Sequence, residues 1–488
     1  MKIQSPLEAY KYLPGTNCKE CGEETCMAFA SKLIDRSRKL EECKEILDES
    51  YKDEYEELTG LLAPEIKEIT VGTGEKAVKI GGEDVIYRHE LTFFDAPPFA
   101  YDVTDAMDEK EIVDRVNYVQ NYKKFYVGNF LTLEMIAIRS VSDDPEKFSS
   151  CVRKVAETTE IPVVLMSFNP DVLEAGLKVI SERRPLIYAA TVDNWQRIAE
   201  LVDKYKVPVV LFSPDLDKLS SLVKTFLEMG MEDLVLDPGT YASGKQLKGT
   251  FDRFIKLRRS GIKEGNRDIT FPLMCIPMQT FLANKKGYKP LPDELIKTLG
   301  GPEDGRELYQ PVLSETTIGN ISIIKYADIV VWHNIEAYSI LPSIHLRFNI
   351  YTDPRTPVSV EPIMREVGHP DENSPVFFTT NFALTYFTVF NDLDSNGIDS
   401  YLLVVDTAGI GVQSAIAGGQ LNAGKIKDAV EESKVKEKVK HNTLITPGYA
   451  ARLMGDIEDE TGMTVLVGPM DSGRIPGFLD EHWPPKSE

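Results

Sequence analysis

From about residue 110 the chain alternates short apolar runs with longer amphipathic ones. DEKEIVDRVNYVQNY repeats its apolar positions at helical spacing, LEMIAIRS reads as a strand, and DPEKFSSCVRKVAETT reads as a helix opened by Asp144 and Pro145. IPVVLMSF, PLIYAAT, VPVVLFS, DLVLDPG and FPLMCIP are strand-like, separated by amphipathic runs such as DNWQRIAELVDKYK and DLDKLSSLVKTFLEMG. Ahead of them, VIYRHELTFF and AYDVT read as two further strands around the Pro97-Pro98 turn, and IVVWHN near 329 supplies the last one. Strands and helices alternating with so little idle sequence predict a parallel sheet covered by helices. The strands are short and no glycine-rich phosphate loop interrupts them, which favours a (β/α)8 barrel over residues 85–340 against an open doubly wound sheet. One barrel strand, expected between Pro277 and Asn320, has no evident signature.

A Pro-rich crossover is expected over residues 341–376, followed by a second α/β unit over 377–488. VFFTT, YLLVVDTAG, HNTLITPG and MTVLVGPMDSG read as strands, with VQSAIAGGQLNAGKIKDAVEES and YAARLMGDIEDETG as helices. That predicts a small open sheet of Rossmann type. Three of its strands run into polar or glycine-rich loops: Thr379-Thr380-Asn381, Asp406 to Gly411, and Thr446-Pro447-Gly448. Such loops converge outside the carboxyl ends of the strands, where ligands bind in this architecture. No GxGxxG is present, DTAGIG being only an echo of it, and no acidic residue stands at the usual offset, which argues against a nicotinamide site. The absence of GxxxxGK[ST] argues against ATP. D-x-H-x-x-G, which supplies an axial histidine in many corrinoid domains, is also missing, and His441 reads as a structural residue.

The N-terminal region, residues 1–60, is organised differently. Cys18, Cys21, Cys26 and Cys43 are spaced C-x2-C-x4-C-x16-C, and they are four of the chain's six cysteines. From Cys26 the apolar positions Phe29, Ala30, Leu33 and Ile34 fall at helical spacing. Were that helix unbroken to Cys43, the two sulfurs would stand about 25 Å apart at about 1.5 Å per residue. The chain must therefore turn back between Asp35 and Leu40. A 4Fe–4S cluster, structural zinc and unliganded thiols all remain open here, the spacing being unlike that of compact paired-CxxC zinc sites. No secretory signal is visible, so disulfides are the weakest reading. Residues 61–84 are a lead-in, and the charged run before Pro64 reads as a linker with one short helix.

Charge narrows the function classes. A formal net charge of −22 repels nucleic acid and anionic membranes, so neither is an expected partner. No apolar stretch is long enough to span a bilayer, and a cytoplasmic location is expected. At the barrel mouth Ser167, Asn169, Thr191, Asp193, Asp237 and His333 follow strands, but turn chemistry and helix N-caps explain such residues equally well. Cys151 and Cys275 read as buried small hydrophobes. Trp332, His333 and His345 read as packed residues, and Asp456 to Glu460 as a solvated helix face.

The cysteine spacing together with SPLEAYKYLPGTNCKECGEETCMAFA, VLDPGTY, NIYTDPRTPVSV, VFFTTNFALTYF, VVDTAGIGVQSA and ITPGYAARLMGDIEDETGMTVLVGPMDSGRIPGF resembles one family over nearly the full length. It is the large, iron–sulfur-bearing subunit of the corrinoid/iron–sulfur protein of the acetyl-CoA decarbonylase/synthase pathway, in its methanogenic-archaeal form. The resemblance implies an α/β chain with a small N-terminal iron–sulfur domain, a central TIM barrel similar to pterin-dependent methyltransferases, and a C-terminal Rossmann-like corrinoid-binding domain. It implies a 4Fe–4S cluster on Cys18, Cys21, Cys26 and Cys43, and a base-off cobamide in the C-terminal domain. The residues it places near the corrinoid are Thr352, Thr379, Thr380, Asn381, Phe382, Asp406, Thr407, Gly409, Gly411, Thr446 and Gly448.

The implied role is a corrinoid methyl carrier, a component of a 5-methyltetrahydropterin:corrinoid/iron–sulfur protein Co-methyltransferase. It moves a methyl group between a methyl-tetrahydropterin, tetrahydrosarcinapterin by family analogy, and the acetyl-CoA synthase metal centre, with the cluster reactivating oxidised cobalt. Implied partners are a smaller corrinoid/iron–sulfur protein subunit, forming a heterodimer, and carbon monoxide dehydrogenase/acetyl-CoA synthase components. Two other readings are a redox scaffold without cobalamin and a zinc-stabilised barrel enzyme.

Overall fold

The computed structural model describes residues 3, 5–127, 129–242, 244–283, 306–354 and 357–484. The chain divides into two compact units, Met1–Tyr122 with Thr132–Tyr351, and Lys123–Leu131 with Thr352–Glu488.

The larger unit contains the barrel. Its strands are β1 (Phe99–Thr104), β2 (Met135–Arg139), β3 (Val163–Met166), β4 (Leu186–Ala190), β5 (Val209–Phe212), β6 (Leu234–Asp237), β7 (Met274–Cys275) and β8 (Ile329–Trp332). They pair in parallel in the order β6-β5-β4-β3-β2-β1-β8-β7, and a parallel bridge between Leu236 and Leu273 closes the ring. Alternate residues meet inside: Ala100, Met135, Ala137, Val164, Leu186, Val210, Val235, Ile329 and Val331 share one core cluster. Val71 and Ile80, from an antiparallel hairpin of Ile69–Val71 with Val78–Ile80, belong to the same cluster. The residues between, such as Phe99, Ile136 and Leu165, are buried on the other face of the strands.

Two sequence expectations fail here, each for a local reason. VIYRHELTFF is not a strand. Its backbone donors are taken by side chains and a turn: Tyr87 N–H donates to Glu90 at 3.4 Å, Glu90 N–H to the Tyr87 carbonyl at 2.9 Å, and Phe94 N–H to Glu83 at 3.2 Å. Among the described residues the barrel has its eight strands without it, and none of the eight falls between Pro277 and Asn320. The described residues of that stretch form the helices Gln279–Ala283 and Arg306–Ile324, and 284–305 lie outside the described residues.

Residues 341–351, expected as crossover, belong instead to the helix Ala337–Tyr351, which carries Pro342 inside it. The lost backbone hydrogen bond is outweighed by what the helix buries. Arg347 alone donates to Glu134 at 2.7 and 2.9 Å, to the Thr132 and Pro97 carbonyls at 2.8 and 3.1 Å, and lies 4.2 Å above the Phe99 ring.

At the N-terminus, Thr25 caps the helix Cys26–Ile34 by accepting from Ala28 N–H, and the helix stops at Asp35. Short 3-10 turns at Leu40–Glu42 and Glu45–Leu47 bring the chain back, so the reversal expected between Asp35 and Leu40 is present.

The smaller unit holds a five-stranded sheet of β9 (Arg365–Val367), β10 (Val376–Thr380), β11 (Ser400–Val405), β12 (Thr443–Thr446) and β13 (Thr464–Val467), ordered β9-β11-β10-β12-β13. All pairs are parallel except the edge strand β9 against β11. Apolar clusters cover both faces. The single helix expected over VQSAIAGGQLNAGKIKDAVEES is two, Val412–Ala417 and Ala423–Ser433. Gly419 takes a left-handed conformation, φ +77°, and Asn422 caps the second helix. Residues 123–131, inserted in the barrel sequence as the hairpin Lys123–Tyr126 with Asn129–Thr132, belong to this unit, and the Phe125 ring meets Phe387 at 5.4 Å.

Candidate functional site

In the smaller sheet the chain leaves β10 to one side for β11 and to the other for β12, a reversal that opens a crevice at the carboxyl ends of the strands. A cleft of about 530 Å3 lies there. Its floor includes Phe377, Thr379 and Ile445, and its sides include Gly411, Thr446 and Met470. The Thr379 hydroxyl is fully buried and has no hydrogen-bond partner among the described residues. Around it stand apolar side chains open to solvent: Met470 is 69% exposed, Leu384 59% and Tyr449 48%. Gly448 lets two walls touch, since a Cβ there would sit 2.7 Å from the Met470 nitrogen and 2.9 Å from the Gly468 carbonyl oxygen. A half-open apolar cleft with one unsatisfied buried hydroxyl suits a flat, largely apolar group that accepts or donates a hydrogen bond at its rim.

The residues expected near this ligand divide. Thr379, Gly411 and Thr446 line the cleft. Asn381, Asp406, Thr407 and Gly409 build a turn instead. Asn381 Oδ1 accepts from the Thr407 N–H and hydroxyl at 3.0 Å and from Gly409 N–H at 2.9 Å, and its amide donates to Asp406 at 3.0 Å. Phe382 precedes the helix Ala383–Ser395, and its ring lies 3.4 Å from where a Gly411 Cβ would be. The Thr380 hydroxyl is buried and unpartnered, and Thr352 follows directly on the helix that ends at Tyr351. Tyr449, Leu384 and Met470 were not singled out from sequence; their exposure as large apolar residues is what marks them.

At the other end of the chain Asn17, Lys19 and Gly22 take left-handed conformations, φ +54°, +64° and +84°, and wrap the loop that carries Cys18 and Cys21. Cys26 opens its helix. Its N–H donates to Asn17 Oδ1 at 2.8 Å, and Asn17 N–H donates to its sulfur at 3.4 Å. Cys43 is buried, and the backbone N–H groups of Ile46 and Glu45 point at its sulfur. Burial raises its pKa, those N–H groups pull it down, and the charges of Cys21 and Cys18 raise it again, which puts these sulfurs within electrostatic reach of one another. Among the described residues no group of three or more His, Cys, Asp or Glu side chains is arranged around a single ion. Buried sulfurs receiving N–H donors fit thiolate ligands of an iron–sulfur cluster.

At the barrel mouth Ser167, Asn169 and Thr191 do what turns and caps require. Asn169 N–H donates to Ser167 Oγ at 3.0 Å, Asn169 caps the helix Pro170–Ile180, and Thr191 bonds to Asn194 at 3.1 Å. His333 differs from the packed residue expected. Its Nδ1 meets the fully buried Asp102 carboxylate at 2.7 Å, and Arg115 and Arg139 reach the same carboxylate at 3.0 and 3.1 Å. Cys151 and Cys275 are buried, as expected.

The family model "CO dehydrogenase/acetyl-CoA synthase delta subunit" matches residues 68–479, and one described as "Putative Fe-S cluster" matches residues 13–45. The acetyl-CoA decarbonylase/synthase complex subunit gamma 2 of Methanosarcina thermophila is 54% identical over 493 positions, covering 100% of both chains. The gamma subunits of Methanosarcina acetivorans and Archaeoglobus fulgidus are 52% and 48% identical, again over 100% of both chains. The chain belongs to the gamma-subunit family of the acetyl-CoA decarbonylase/synthase complex. The delta-subunit model begins at residue 68 and leaves the four-cysteine segment out, whereas the gamma-subunit alignments include it.

Dihydropteroate synthases from Thermus thermophilus and Xanthomonas albilineans are similar in structure at 15% and 16% identity, with TM-scores of 0.37 and 0.38, over 58% and 59% of this chain and 99% of each of theirs. Among the described residues no helix is long and apolar enough to cross a membrane.

Proposed function

We propose that this gamma-family chain is a corrinoid methyl carrier with its own electron-transfer centre, the methyl-transferring component of the decarbonylase/synthase complex. The observation that carries the reading is the half-open C-terminal cleft, with the unpartnered Thr379 hydroxyl in its floor and an exposed apolar rim, in the same chain as the four-cysteine loop. Bound there, a cobamide would supply a cobalt nucleophile for the methyl group, and a 4Fe–4S cluster held by the four cysteines would supply one-electron chemistry to keep that cobalt reduced.

The chain's own residues do the rest. Cys18, Cys21, Cys26 and Cys43 hold the cluster, and the N–H groups of Asn17, Glu45 and Ile46 stabilise its thiolates. Thr379 and Thr446 orient the corrinoid rim, Gly411 and Gly448 admit it, and the Asn381 turn with Asp406, Thr407 and Gly409 holds the neighbouring loop in shape. Thr352, Thr380 and Phe382 complete the proposed contacts to the corrinoid. Leu384, Tyr449 and Met470 offer the remaining edge to the smaller partner subunit. The methyl donor is a methyl-tetrahydropterin and the acceptor a synthase component of the complex.

Anaerobic elemental analysis after reconstitution with iron, sulfide, cobamide and the smaller subunit tests this. Iron and cobalt are both expected. Iron without cobalt would leave the redox scaffold, and zinc alone the zinc-stabilised barrel.

A further inference from the structure

The apolar interior of the barrel gives way, at the carboxyl ends of its strands, to a layer of different chemistry. Ala100, Ala137, Val235 and Val331 face inward in the core cluster. Strand alternation puts Asp102, Arg139, Asp237 and His333, each two residues further on, on the same face one step nearer the mouth. Tyr188 and Phe212 belong to the inward set too, and the ring of Phe168, 51% exposed, packs tilted against theirs at 5.5 and 5.6 Å. A layer needed only to fill space would continue in branched apolar residues; the mouth of such a barrel is where its chemistry resides.

Within that layer His333 is fixed at three of its four polar positions. Its backbone N–H donates to Glu315, from the helix Arg306–Ile324, and its carbonyl accepts from Arg115, from the helix Glu109–Asn121. Its ring is bonded through Nδ1 to Asp102 on β1 and lies 4.7 Å from Phe281. Arg139 on β2 completes the charged groups around the pair. Burial pushes the Asp102 carboxyl up, but the His333 bond and the charges of Arg115 and Arg139 outweigh it and hold the group below its ordinary range. Asp102 is therefore a carboxylate and only accepts, so Nδ1 carries the hydrogen, and among the described residues Nε2 has no hydrogen-bond partner. The side chain is 33% exposed.

We propose that His333 is a proton-transfer residue of the methyl-transfer reaction, giving a proton through Nε2 to the amine nitrogen of the pterin donor as the methyl group leaves, with Asp102 as its positioning residue. This rests on the carrier reading above. The C–N bond breaks with its electron pair staying on nitrogen, and the methyl group goes to the two-electron nucleophile of the carrier. The nitrogen pair takes the proton of the His333 imidazolium, which solvent then restores. In the reverse direction the nitrogen's lone pair attacks the methyl group as the neutral imidazole takes the proton from that nitrogen. The aromatic arc of Phe168, Tyr188 and Phe212 gives a planar heterocycle a face to stack on.

The test compares two methyl donors on the cobamide-loaded complex across pH. Methyl-tetrahydropterin needs a proton on the departing amine, whereas methyl iodide releases only iodide. His333→Gln should lower the pterin-dependent rate about a hundredfold or more and flatten its pH profile, with methyl iodide used as before. Asp102→Asn should move the profile along the pH axis. In His333→Ala, added imidazole should restore part of the pterin-dependent rate. Independently of loading, calorimetry of tetrahydropterin binding in two buffers of different ionisation enthalpy should show proton exchange that His333→Gln abolishes. A wild-type pH profile and rate in His333→Gln, or no imidazole rescue in His333→Ala together with unchanged proton exchange, would overturn the assignment. Wild-type complex that takes up no cobamide, or that methyl iodide does not methylate, would instead overturn the carrier reading.

Discussion

Gly319 lies where the indole of Trp332 leaves no room for a side chain: a Cβ there would stand 2.2 Å from Cη2 of the ring. Trp332 cannot withdraw, since it is fully buried with its edge against Phe99 at a centroid distance of 5.2 Å. Gly319→Ala should therefore destabilise the barrel by about 1–3 kcal/mol, the usual range for forcing extra volume into a packed core. Urea denaturation reads it as a lower midpoint at unchanged slope, and Trp332→Phe in the same chain should return part of the loss. An unaltered midpoint in Gly319→Ala would show that the helix does not sit on β8 this closely.

The unpartnered hydroxyl of Thr379 makes a two-sided prediction. Without ligand, Thr379→Val removes a buried polar group with nothing to bond and should leave the chain as stable or about 1 kcal/mol more so. With cobamide, the same substitution should reduce bound cobalt per chain, and Thr379→Phe should reduce it further by filling the cleft. Stability and cobalt retention falling together would mean that the hydroxyl serves the fold.

Asp237 gives a pH dependence whose sign can be worked out. Full burial pushes its carboxyl from an ordinary 3.8 up to about 6, against the pull of the Gly239 N–H at 2.8 Å and the Tyr188 hydroxyl at 2.9 Å. Between those values the folded chain keeps a proton that the unfolded chain has lost. The contribution is thus fully present below about pH 4 and is lost as pH rises through about 6, an effect of roughly 3 kcal/mol. The stability difference between wild type and Asp237→Asn should shrink over that interval as pH rises, measured by denaturant titration at several pH values. A difference that grew, or stayed level, would place the carboxylate form in the folded barrel.

Arg36, just past the helix that Cys26 opens, donates to the Gly82 carbonyl and the Asp84 carboxylate and lies 4.3 Å over the Phe94 ring. Asp84 is almost wholly buried and also holds the Glu65 N–H at 3.0 Å. Arg36→Ala should cost up to about 3 kcal/mol, less than for a wholly buried pair because the guanidinium is partly open to solvent. Hydrogen exchange across residues 65–84 should rise. Exchange as slow as in the wild type would show that the contact holds nothing in place.

Much of this architecture was legible because the determining signals are local. VVLM, LIYAA and VVLF could be little other than short buried parallel strands, and Phe29, Ala30, Leu33 and Ile34 after Cys26 carry the helical period. Legibility failed where side-chain hydrogen bonds override the apolar pattern. VIYRHELTFF has strand composition, yet Glu83 and Glu90 take the N–H groups a ladder would need. Pro342 reads as a breaker, yet the bonds of Arg347 keep its helix. In the C-terminal loops the sequence pointed to the cleft through Thr379, Gly411 and Thr446, but it could not distinguish a cleft residue from Asn381, whose oxygen serves three donors of its own loop. The Asp102–His333 pair, 231 positions apart, left one trace: polar residues two steps beyond inward alanine and valine.

The Phe125 hairpin has a consequence for how the protein can be divided. Because residues 123–131 count with 352–488, the polypeptide runs between the two units at three junctions: 122/123, 131/132 and 351/352. No single scission yields both pieces whole. A fragment begun at Thr352 would carry Phe387 without the Phe125 ring that meets it, and a protease nick at 351/352 would leave residues 123–131 on the barrel's piece. Exchanging only the segment after residue 351 would therefore pass on the smaller unit without its hairpin.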